Sequence, residues 1–280
     1  MQARIWGCRG SLATPGRETL RYGGNTSCVE LECDDGTRII LDAGTGIREL
    51  GRRLSANGSG PVHLCLTHLH LDHIEGIGFF APIYDPETHV HVWGPRSSVR
   101  SLDQRLARYL SAPLFPVELA DLPAKFTFHD VEDEPWEIGG ARLVASAISH
   151  PGATVGYRIE ADGCSIAYLP DHEPAVGVQL DRLTSDWVSG FELAQGADVL
   201  IHDAQYTDAE YLDHVGWGHS SISQALSFGA MTGAGRMLLF HHDPRHSDDD
   251  LDAHQARAHE LWQGDGVRPE LAYEGMEVRV

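Results

Sequence analysis

Short apolar runs alternate along the chain with turn residues and with longer stretches of helical spacing. The runs predict strands, because buried strands are short and rich in Val, Ile and Leu. The predicted strands cover residues 4–6, 27–33, 38–41, 62–67, 90–93, 141–147, 156–160, 165–169, 199–202 and 237–240. Apolar positions at helical spacing predict helices over residues 46–56, 97–110, 186–194, 221–231 and 248–262. Helices between strands in both halves indicate a layered α/β or α+β domain, in which two sheets pack together with helices outside.

The segment 112–135 belongs to none of these elements. It contains Pro113, Pro116, Pro123 and Pro135 together with several acidic residues. A long flap and a plain surface loop both suit this composition, since proline interrupts regular structure. The chain shows no repeat of fixed short period and no Gly/Ser linker, so we expect one domain over residues 1–280.

The charge balance narrows the range of partners. The chain has 21 Lys and Arg residues against 41 Asp and Glu residues, a formal net charge of −20 with neutral histidine. Non-specific binding of duplex nucleic acid depends on Lys and Arg that neutralise phosphates, so we expect no duplex nucleic acid as a partner. A small anionic substrate stays compatible with this charge, because a bound metal ion reverses the local field.

Cysteine and histidine usage indicate the compartment and the chemistry. The five cysteines are an odd number without a C-x-x-C motif, which is typical of free thiols in a reducing compartment. No apolar signal region or membrane-length apolar run is present, so we expect a soluble, cytoplasmic protein that does not bind membranes. Histidine is enriched, at 17 of 280 residues, which indicates metal or proton chemistry.

The strongest chemical signal is the segment 67–73, Thr-His-Leu-His-Leu-Asp-His. It follows an apolar run at 64–66, so it lies at the carboxyl end of a predicted strand, where ligand sites form in α/β sheets. His68 and His70 share one side of extended backbone and can reach one metal ion. Asp72 and His73 follow where the chain turns and can face a second ion. Imidazole and carboxylate ligands suit Zn, Mn or Fe.

Other His and Asp residues also follow predicted strands. These are His150, Asp171, His202 with Asp203, and His241 with His242. Because each of them follows a strand in the same way, we expect their side chains to meet at one edge of the sheets. His241 and His242 are alternatives, because successive strand side chains point to opposite sides. Asp42, which precedes Gly44-Thr45-Gly46, is either a turn residue or a carboxylate that orients a ligand histidine.

The order of these residues resembles the metallo-β-lactamase superfamily. The matching positions are Asp42, His68-x-His70-x-Asp72-His73, His150, Asp171 and His241. The resemblance implies that family's fold, an α+β four-layer αββα sandwich with metal ions at one edge of the paired sheets. It also implies two divalent ions, zinc first and Mn or Fe as alternatives, with a bridging water or hydroxide as the nucleophile. The implied ligands are His68, His70 and His150 for one ion, Asp72, His73 and His241 for the other, and Asp171 as the bridge.

Further segments resemble the phosphodiesterase branch, which includes ribonuclease Z and the cyclic-phosphate phosphodiesterase of phosphonate breakdown. Asp171 is acidic where penicillin-hydrolysing members usually have Cys or Ser. The segment 218–221, Gly-His-Ser-Ser, resembles a His-Ser-Thr segment whose histidine is the general acid, which implies this role for His219. The segment 241–245 resembles a His-x-Ser-x-Arg segment and favours His241 as the ligand. His202 lies in a segment similar to ribonuclease Z, and we expect it to support a ligand rather than to react.

We therefore expect a binuclear metal-dependent hydrolase, a phosphodiesterase acting on a small or cyclic nucleotide-like phosphodiester by hydroxide attack. Asp72 would accept the proton of the nucleophile, and His219 would protonate the leaving alkoxide. The chain departs from ribonuclease Z in having no inserted basic Gly/Pro-rich arm. A hydrolase of a lactone, thioester or β-lactam bond and a non-hydrolytic relative of the PQQ-biosynthesis protein are the alternatives. The resemblance also suggests a homodimer.

Overall fold

The computed structural model describes residues 1–57, 60–264 and 267–280. Two seven-stranded sheets form its centre. The strands are β1 (Gln2–Gly7), β2 (Cys28–Glu32), β3 (Arg38–Leu41), β4 (Val62–Cys65), β5 (His89–Pro95), β6 (Lys125–Val131), β7 (Trp136–Ile138), β8 (Ala141–Ala147), β9 (Val155–Ala161), β10 (Cys164–Leu169), β11 (Val199–Asp203), β12 (Arg236–Phe240), β13 (Glu270–Leu271) and β14 (Glu277–Arg279). The α-helices are α1 (Ile47–Asn57), α2 (Leu71–Ile74), α3 (Leu102–Leu106), α4 (Phe191–Ala194), α5 (Asp208–Tyr211), α6 (Ile222–Thr232) and α7 (Asp248–Leu261).

Both sheets combine an antiparallel half with a parallel half. The first sheet has the order β14-β1-β2-β3-β4-β5-β6, and the second has the order β13-β12-β11-β10-β9-β8-β7. Strands β3 to β6 run parallel to one another, as do β10 to β13. Parallel strands end at the same edge of a sheet, and this edge is where polar loops can build a ligand site.

Strand side chains alternate between separate cores. On β3, Ile39 and Leu41 join the core between the sheets, while Ile40 joins the core beneath α1 and α3. A third core packs α4, α6 and α7 on the second sheet and includes Leu226 and Leu251. Helices therefore cover both outer faces, and the predicted α+β αββα sandwich is confirmed. Among the described residues, none of the helices has both the length and the apolar character of a membrane span.

Capping residues define the fourth predicted helix, observed as α6. The Ser221 hydroxyl accepts a hydrogen bond from the Gln224 amide, and Gly233 adopts a φ of 67°, the left-handed conformation that ends many helices. The helix predicted over 221–231 is confirmed within one residue at each end. The helices predicted over 46–56 and 248–262 are likewise confirmed, as α1 and α7.

Two predicted helices are too long. In the segment 97–110 only α3 is helical, because Val99 is 83% exposed and the first predicted turn buries no apolar side chain that would hold it. In the segment 186–194, Gly190 adopts a φ of 71° and divides the helix, which leaves α4 after it. Both differences arise because apolar spacing alone does not show the tertiary contacts that hold a short helix.

The segment 112–135 is neither a flap nor a plain loop over its whole length, because it contains strand β6. This strand pairs in parallel with β5, and Phe126 and Phe128 pack against the core beneath α1 and α3. The sequence prediction missed β6 since Thr127 and His129 occupy its other face. Strands β7, β13 and β14 were also missed, because they have only two or three residues.

Candidate metal centre

Loops from both sheets meet at the edge where the parallel strands end. The ligand-type residues brought together there are His68, His70, Asp72 and His73 after β4, His150 after β8, Asp171 after β10, Asp203 at the end of β11, His219 before α6 and His241 after β12. Strand ends that are far apart in the chain thus contribute to one site. The sequence predicts this convergence, because a His or Asp residue follows each of these strands.

His68, His70 and His150 form a first group. Their ligand nitrogens all lie within 4.8 Å of one another. His70 Nδ1 lies 3.2 Å from His150 Nε2, and the His68 ring centroid lies 4.4 Å from that of His70 and 4.8 Å from that of His150. His68 is buried and His70 is exposed, so the group is open to solvent on one side. Three converging imidazoles are a common ligand set for zinc.

Asp72, His73, Asp171 and His241 form a second, fully buried group. His73 Nε2 lies 2.9 Å from Asp171 Oδ1 and 3.3 Å from Asp72 Oδ2. His241 Nε2 lies 3.1 Å from Asp72 Oδ2 and 3.2 Å from Asp171 Oδ1. Two imidazoles and two carboxylates therefore surround one small volume.

Asp171 lies between the two groups. Its Oδ1 faces the second group, while its Oδ2 lies 3.7 Å from His68 Nε2 and 3.7 Å from His150 Nε2 in the first. A carboxylate with one oxygen toward each group has the position of a bridging ligand.

Buried atoms at this site lack partners that a metal ion would supply. His68 Nε2, His73 Nε2 and Asp171 Oδ1 are buried and form no hydrogen bond; the short contact between His73 and Asp171 lacks hydrogen-bond geometry. A buried polar atom without a partner costs about 1–3 kcal/mol, and three such atoms converge here. Nitrogen and carboxylate oxygen are the donors of Zn, Mn and Fe sites. The residues therefore fit bound divalent metal.

Burial and charge favour the metal-binding protonation states of His68 and Asp171, whereas for His73 burial alone would lower the pKa but Asp171, Asp72 and Asp42 raise it well above its usual range, so a metal ion would displace a proton there. Burial lowers the pKa of His68 well below its usual range, which keeps the ring neutral. Burial alone would raise the pKa of Asp171, but charge attraction from His241 and His73 holds it well below its usual range. Neutral imidazole and ionised carboxylate are the forms that coordinate a metal ion.

Asp42 lies directly behind His73. Its Oδ2 lies 2.8 Å from His73 Nδ1 and accepts hydrogen bonds from the Tyr168 hydroxyl at 3.0 Å and the Thr67 hydroxyl at 2.9 Å. All four side chains are buried. A carboxylate on Nδ1 fixes the ring so that Nε2 points at the candidate metal position.

The structure separates His241 from His242. His241 Nε2 faces the second group, and its Nδ1 donates to Gln205 Oε1 at 3.1 Å. His242 points away, and its Nε2 donates to the Ala272 carbonyl at 2.8 Å. A Cβ at Gly10 would collide with the His241 ring, so Gly10 leaves the space that this ring occupies.

His219 lies beside both groups. Its ring stacks on His241 with centroids 4.9 Å apart and lies edge-on to His150 at 5.0 Å. Its Nδ1 lies 2.6 Å from Asp203 Oδ2. Burial alone would lower the pKa of His219, but the charge of Asp203 and the hydrogen bond to it raise that pKa to about 9. Asp203 thus holds the ring with Nε2 free for a bound molecule.

Comparison with known families identifies the chain. The sequence profile of the Beta-lactamase superfamily domain matches residues 37–242, which include every candidate ligand. The chain belongs to the metallo-β-lactamase superfamily. It is accordingly a metal-binding hydrolase of that superfamily.

Relatives within the superfamily cover nearly the whole chain. Ribonuclease Z of Kineococcus radiotolerans is 27% identical over 278 residues, which cover 86% of this chain and 85% of that protein. A crystal structure of a diphosphatase from the PhnP family has a TM-score of 0.70 at 17% identity and covers 100% of this chain and 97% of its own. Zinc-bound PqqB from Methylobacterium extorquens has a TM-score of 0.68 at 18% identity, and each chain is covered completely. At these identities the solved structures establish the fold.

Glu173 is a buried residue of this superfamily member that the sequence analysis does not identify, although its side chain makes several hydrogen bonds. Its buried Oε2 accepts hydrogen bonds from the amides of Gly216 at 3.1 Å and Gly218 at 3.0 Å, and its Oε1 accepts one from the Tyr211 hydroxyl at 2.6 Å. The Gly218 carbonyl in turn accepts from His150 Nδ1 at 2.9 Å. The only local signal was the position of Glu173 two residues after Asp171.

His202 and Asp203 have different positions around the centre. His202 Nδ1 donates to the Asp203 carbonyl at 2.7 Å, and His202 Nε2 lies 2.9 Å from His172 Nδ1. His202 therefore supports the strand end that carries Asp203, rather than a candidate ligand directly. The sequence identifies Asp203 only as a strand-end residue, and its contact with His219 comes from the fold.

Proposed function

We propose that this superfamily member is a binuclear metal-dependent phosphodiesterase that acts on a small or cyclic nucleotide-like phosphodiester. The observation that carries the proposal is the position of His219, whose ring stacks on His241 and contacts His150. An imidazole held there by Asp203 lies next to any group bound between the two ligand groups. This is where a general acid must stand to protonate a leaving alkoxide.

The two groups would hold one ion each. The proposed ligands are His68, His70 and His150 for the first ion, Asp72, His73 and His241 for the second, and Asp171 for both. When bound, two such ions, zinc first and Mn or Fe as alternatives, neutralise phosphodiester charge and bring the pKa of a shared water to about 7.

The chain's own residues would orient the substrate and move the protons. Asp203 fixes the His219 ring through Nδ1, so that Nε2 carries the proton toward the leaving oxygen. Asp72 Oδ2 accepts from the Ser11 amide at 2.8 Å and contacts His241, and this carboxylate would accept the proton of the nucleophile. Asp42 keeps His73 in the ligating tautomer.

The substrate class is supported by the relatives and by charge. One relative is named ribonuclease Z and one structural neighbour a diphosphatase, and both names refer to phosphorus–oxygen bonds. A net charge of −20 repels long polyanions, since binding them depends on Lys and Arg. A small diester, neutralised at the centre itself, suits this charge.

The test combines metal content with turnover on one sample. Protein purified without chelator is analysed for metals and assayed with bis-(p-nitrophenyl) phosphate. We expect two ions per chain and turnover, both reduced in His68→Ala. The matched control is His259→Gln, on α7, where the imidazole contacts Gln255 and the Pro269 carbonyl.

Other outcomes would replace parts of the proposal. Two ions with hydrolysis of a lactone, thioester or β-lactam, and with no turnover of phosphodiesters, would assign the centre to that reaction class. Two ions with no hydrolysis of any of these would place the substrate outside the phosphodiester, lactone, thioester and β-lactam classes. One ion or none would overturn the binuclear mechanism.

A further inference from the structure

Four histidines outside the candidate metal centre lie side by side on the first sheet. They are His63 on β4, His89 and His91 on β5, and His129 on β6. His63 is the register partner of His91, and Trp93 is the register partner of His129. These residues face the second sheet, since Cys65, two residues after His63, packs in the core between the sheets.

The group lies where the inter-sheet core ends. Trp93 packs against this core, its ring stacks on His129 at 3.8 Å, and it also stacks on Trp136 at 5.4 Å. His91 and His129 are both partly exposed. The imidazoles are therefore held by packing and can still be reached from solvent.

The nitrogens of one pair are spaced as ligands of a single ion. His91 Nδ1 lies 3.1 Å from His129 Nε2. Two imidazole nitrogens bound to one ion at about 2.0–2.1 Å lie roughly 3.0–3.4 Å apart. The two nitrogens, which share a hydrogen bond, thus already lie at the separation of two ligands of one ion.

The other two rings flank this pair. His63 stacks on His91 at 4.9 Å, and His63 Nδ1 is buried without a hydrogen-bond partner. His89 lies against His91 with centroids 4.0 Å apart. These two rings pack on His91 from β4 and from its own strand, so the position of the His91–His129 nitrogen pair is fixed by its neighbours.

The surrounding charges favour neutral rings. Burial and the neighbouring His89, His129 and Lys125 all lower the pKa of His91, and burial also lowers that of His129. Neutral imidazole is the form that binds Cu, Ni and Zn. The pair is therefore ready to coordinate at neutral pH.

We propose that His91 and His129 bind one divalent transition-metal ion, of the copper, nickel or zinc class, at an accessory site separate from the candidate metal centre. On binding, the proton in the hydrogen bond between the two neutral rings moves to the other nitrogen of its own ring, so both rings coordinate as neutral imidazole and no proton is released. Two protein ligands bind more weakly than the ligand groups of the centre, so this site fills after the centre. The proposal does not depend on which bond the enzyme hydrolyses.

Trp93 gives a local readout. The probe is Cu²⁺ added to the full-length protein carrying two zinc ions per chain, so that the weaker accessory site is still unfilled, with tryptophan fluorescence recorded and released zinc measured by a chromogenic chelator. Because Trp93 stacks on His129, we expect saturable quenching that ends at one equivalent and releases no zinc. The quenching should be lost in His91→Asn and in Trp93→Phe, and it should persist in the control His259→Gln.

The variants also define what would overturn the site. Equal quenching in wild type and His91→Asn, or quenching in step with zinc release, would assign the effect to the centre or to scattered histidines. Circular dichroism and zinc content check that each variant is folded. If His91→Asn does not fold, His129→Asn on edge strand β6 is decisive: retained one-equivalent quenching there refutes the site, and its loss supports it.

Discussion

The Glu173 carboxylate accepts a hydrogen bond from the Gly218 amide, with Oε2 3.0 Å from the nitrogen. Because the Gly218 carbonyl holds His150 and the next residue is His219, this one carboxylate positions both a proposed ligand and the proposed acid. We expect Glu173→Gln to lower kcat about 10- to 100-fold. The new side-chain NH₂ would face the donating amides of Gly216 and Gly218 and so displace the loop that carries His219. Steady-state kinetics with a phosphodiester substrate measure this effect.

Its control is Glu192→Gln, which changes an exposed glutamate on α4 in the same way. The control should leave kcat unchanged. A rise in KM with unchanged kcat would contradict a positioning role for Glu173. A loss of thermal stability with unchanged kcat would contradict it as well.

Loss of His219 should depend on the leaving group. An acid is needed for an alkoxide and much less for p-nitrophenolate, so His219→Ala should reduce turnover of an alkyl diester about 10²- to 10⁴-fold and affect a p-nitrophenyl ester far less. Metal content is measured on the same samples. Equal losses on both esters, or loss of metal, would indicate that His219 acts as a ligand.

Asp42→Asn should weaken metal binding. Asp42 orients His73 through Nδ1, and removal of such a partner typically costs about 10- to 100-fold in metal affinity. Competition with a chromogenic chelator measures the zinc affinity. Asp35→Asn, in an exposed turn, is the control, and equal affinities in the two variants would refute the role of Asp42.

Gly10→Ala should disrupt the centre, because its Cβ would collide with the His241 ring. We expect activity to fall at least about 10-fold as that ring is displaced. Gly60→Ala, where a Cβ meets nothing within 4 Å, is the matched control. Wild-type activity in Gly10→Ala would show that the ring adjusts without loss.

Stability should depend on pH through His63. Burial lowers its pKa to about 4 from the usual 6.5. Between these values the unfolded chain binds the proton and the folded chain does not, so stability is lost as pH falls from about 6.5 toward 4. The loss is roughly 1–2 kcal/mol after allowance for partial exposure.

Urea unfolding at about pH 7 and about pH 5 measures this dependence. The variant His63→Gln cannot titrate, so its stability should change less than that of wild type between the two conditions. Identical changes in the two proteins would show that His63 does not contribute.

Strand and helix spacing predicted two packed sheets with helices outside, and the resemblance to the metallo-β-lactamase superfamily implied the αββα order and the ligand residues at its edge. A spacing of two in extended backbone places His68 and His70 on one side, and this depends only on local geometry. Ser221 and Gly233 likewise marked the ends of α6 through local capping preferences. Such features are readable because their physical cause lies within a few residues.

Tertiary structure decided which of two adjacent histidines faces the centre and which carboxylates support it. His241 adopts a φ of 63°, a backbone conformation that its local sequence does not indicate, while His242 is drawn to the Ala272 carbonyl. Glu173 and Asp203 resemble other acidic residues until folding buries them against amides and imidazoles from distant elements. Their roles come from burial and from partners far along the chain, and these exist only once the two sheets have packed together.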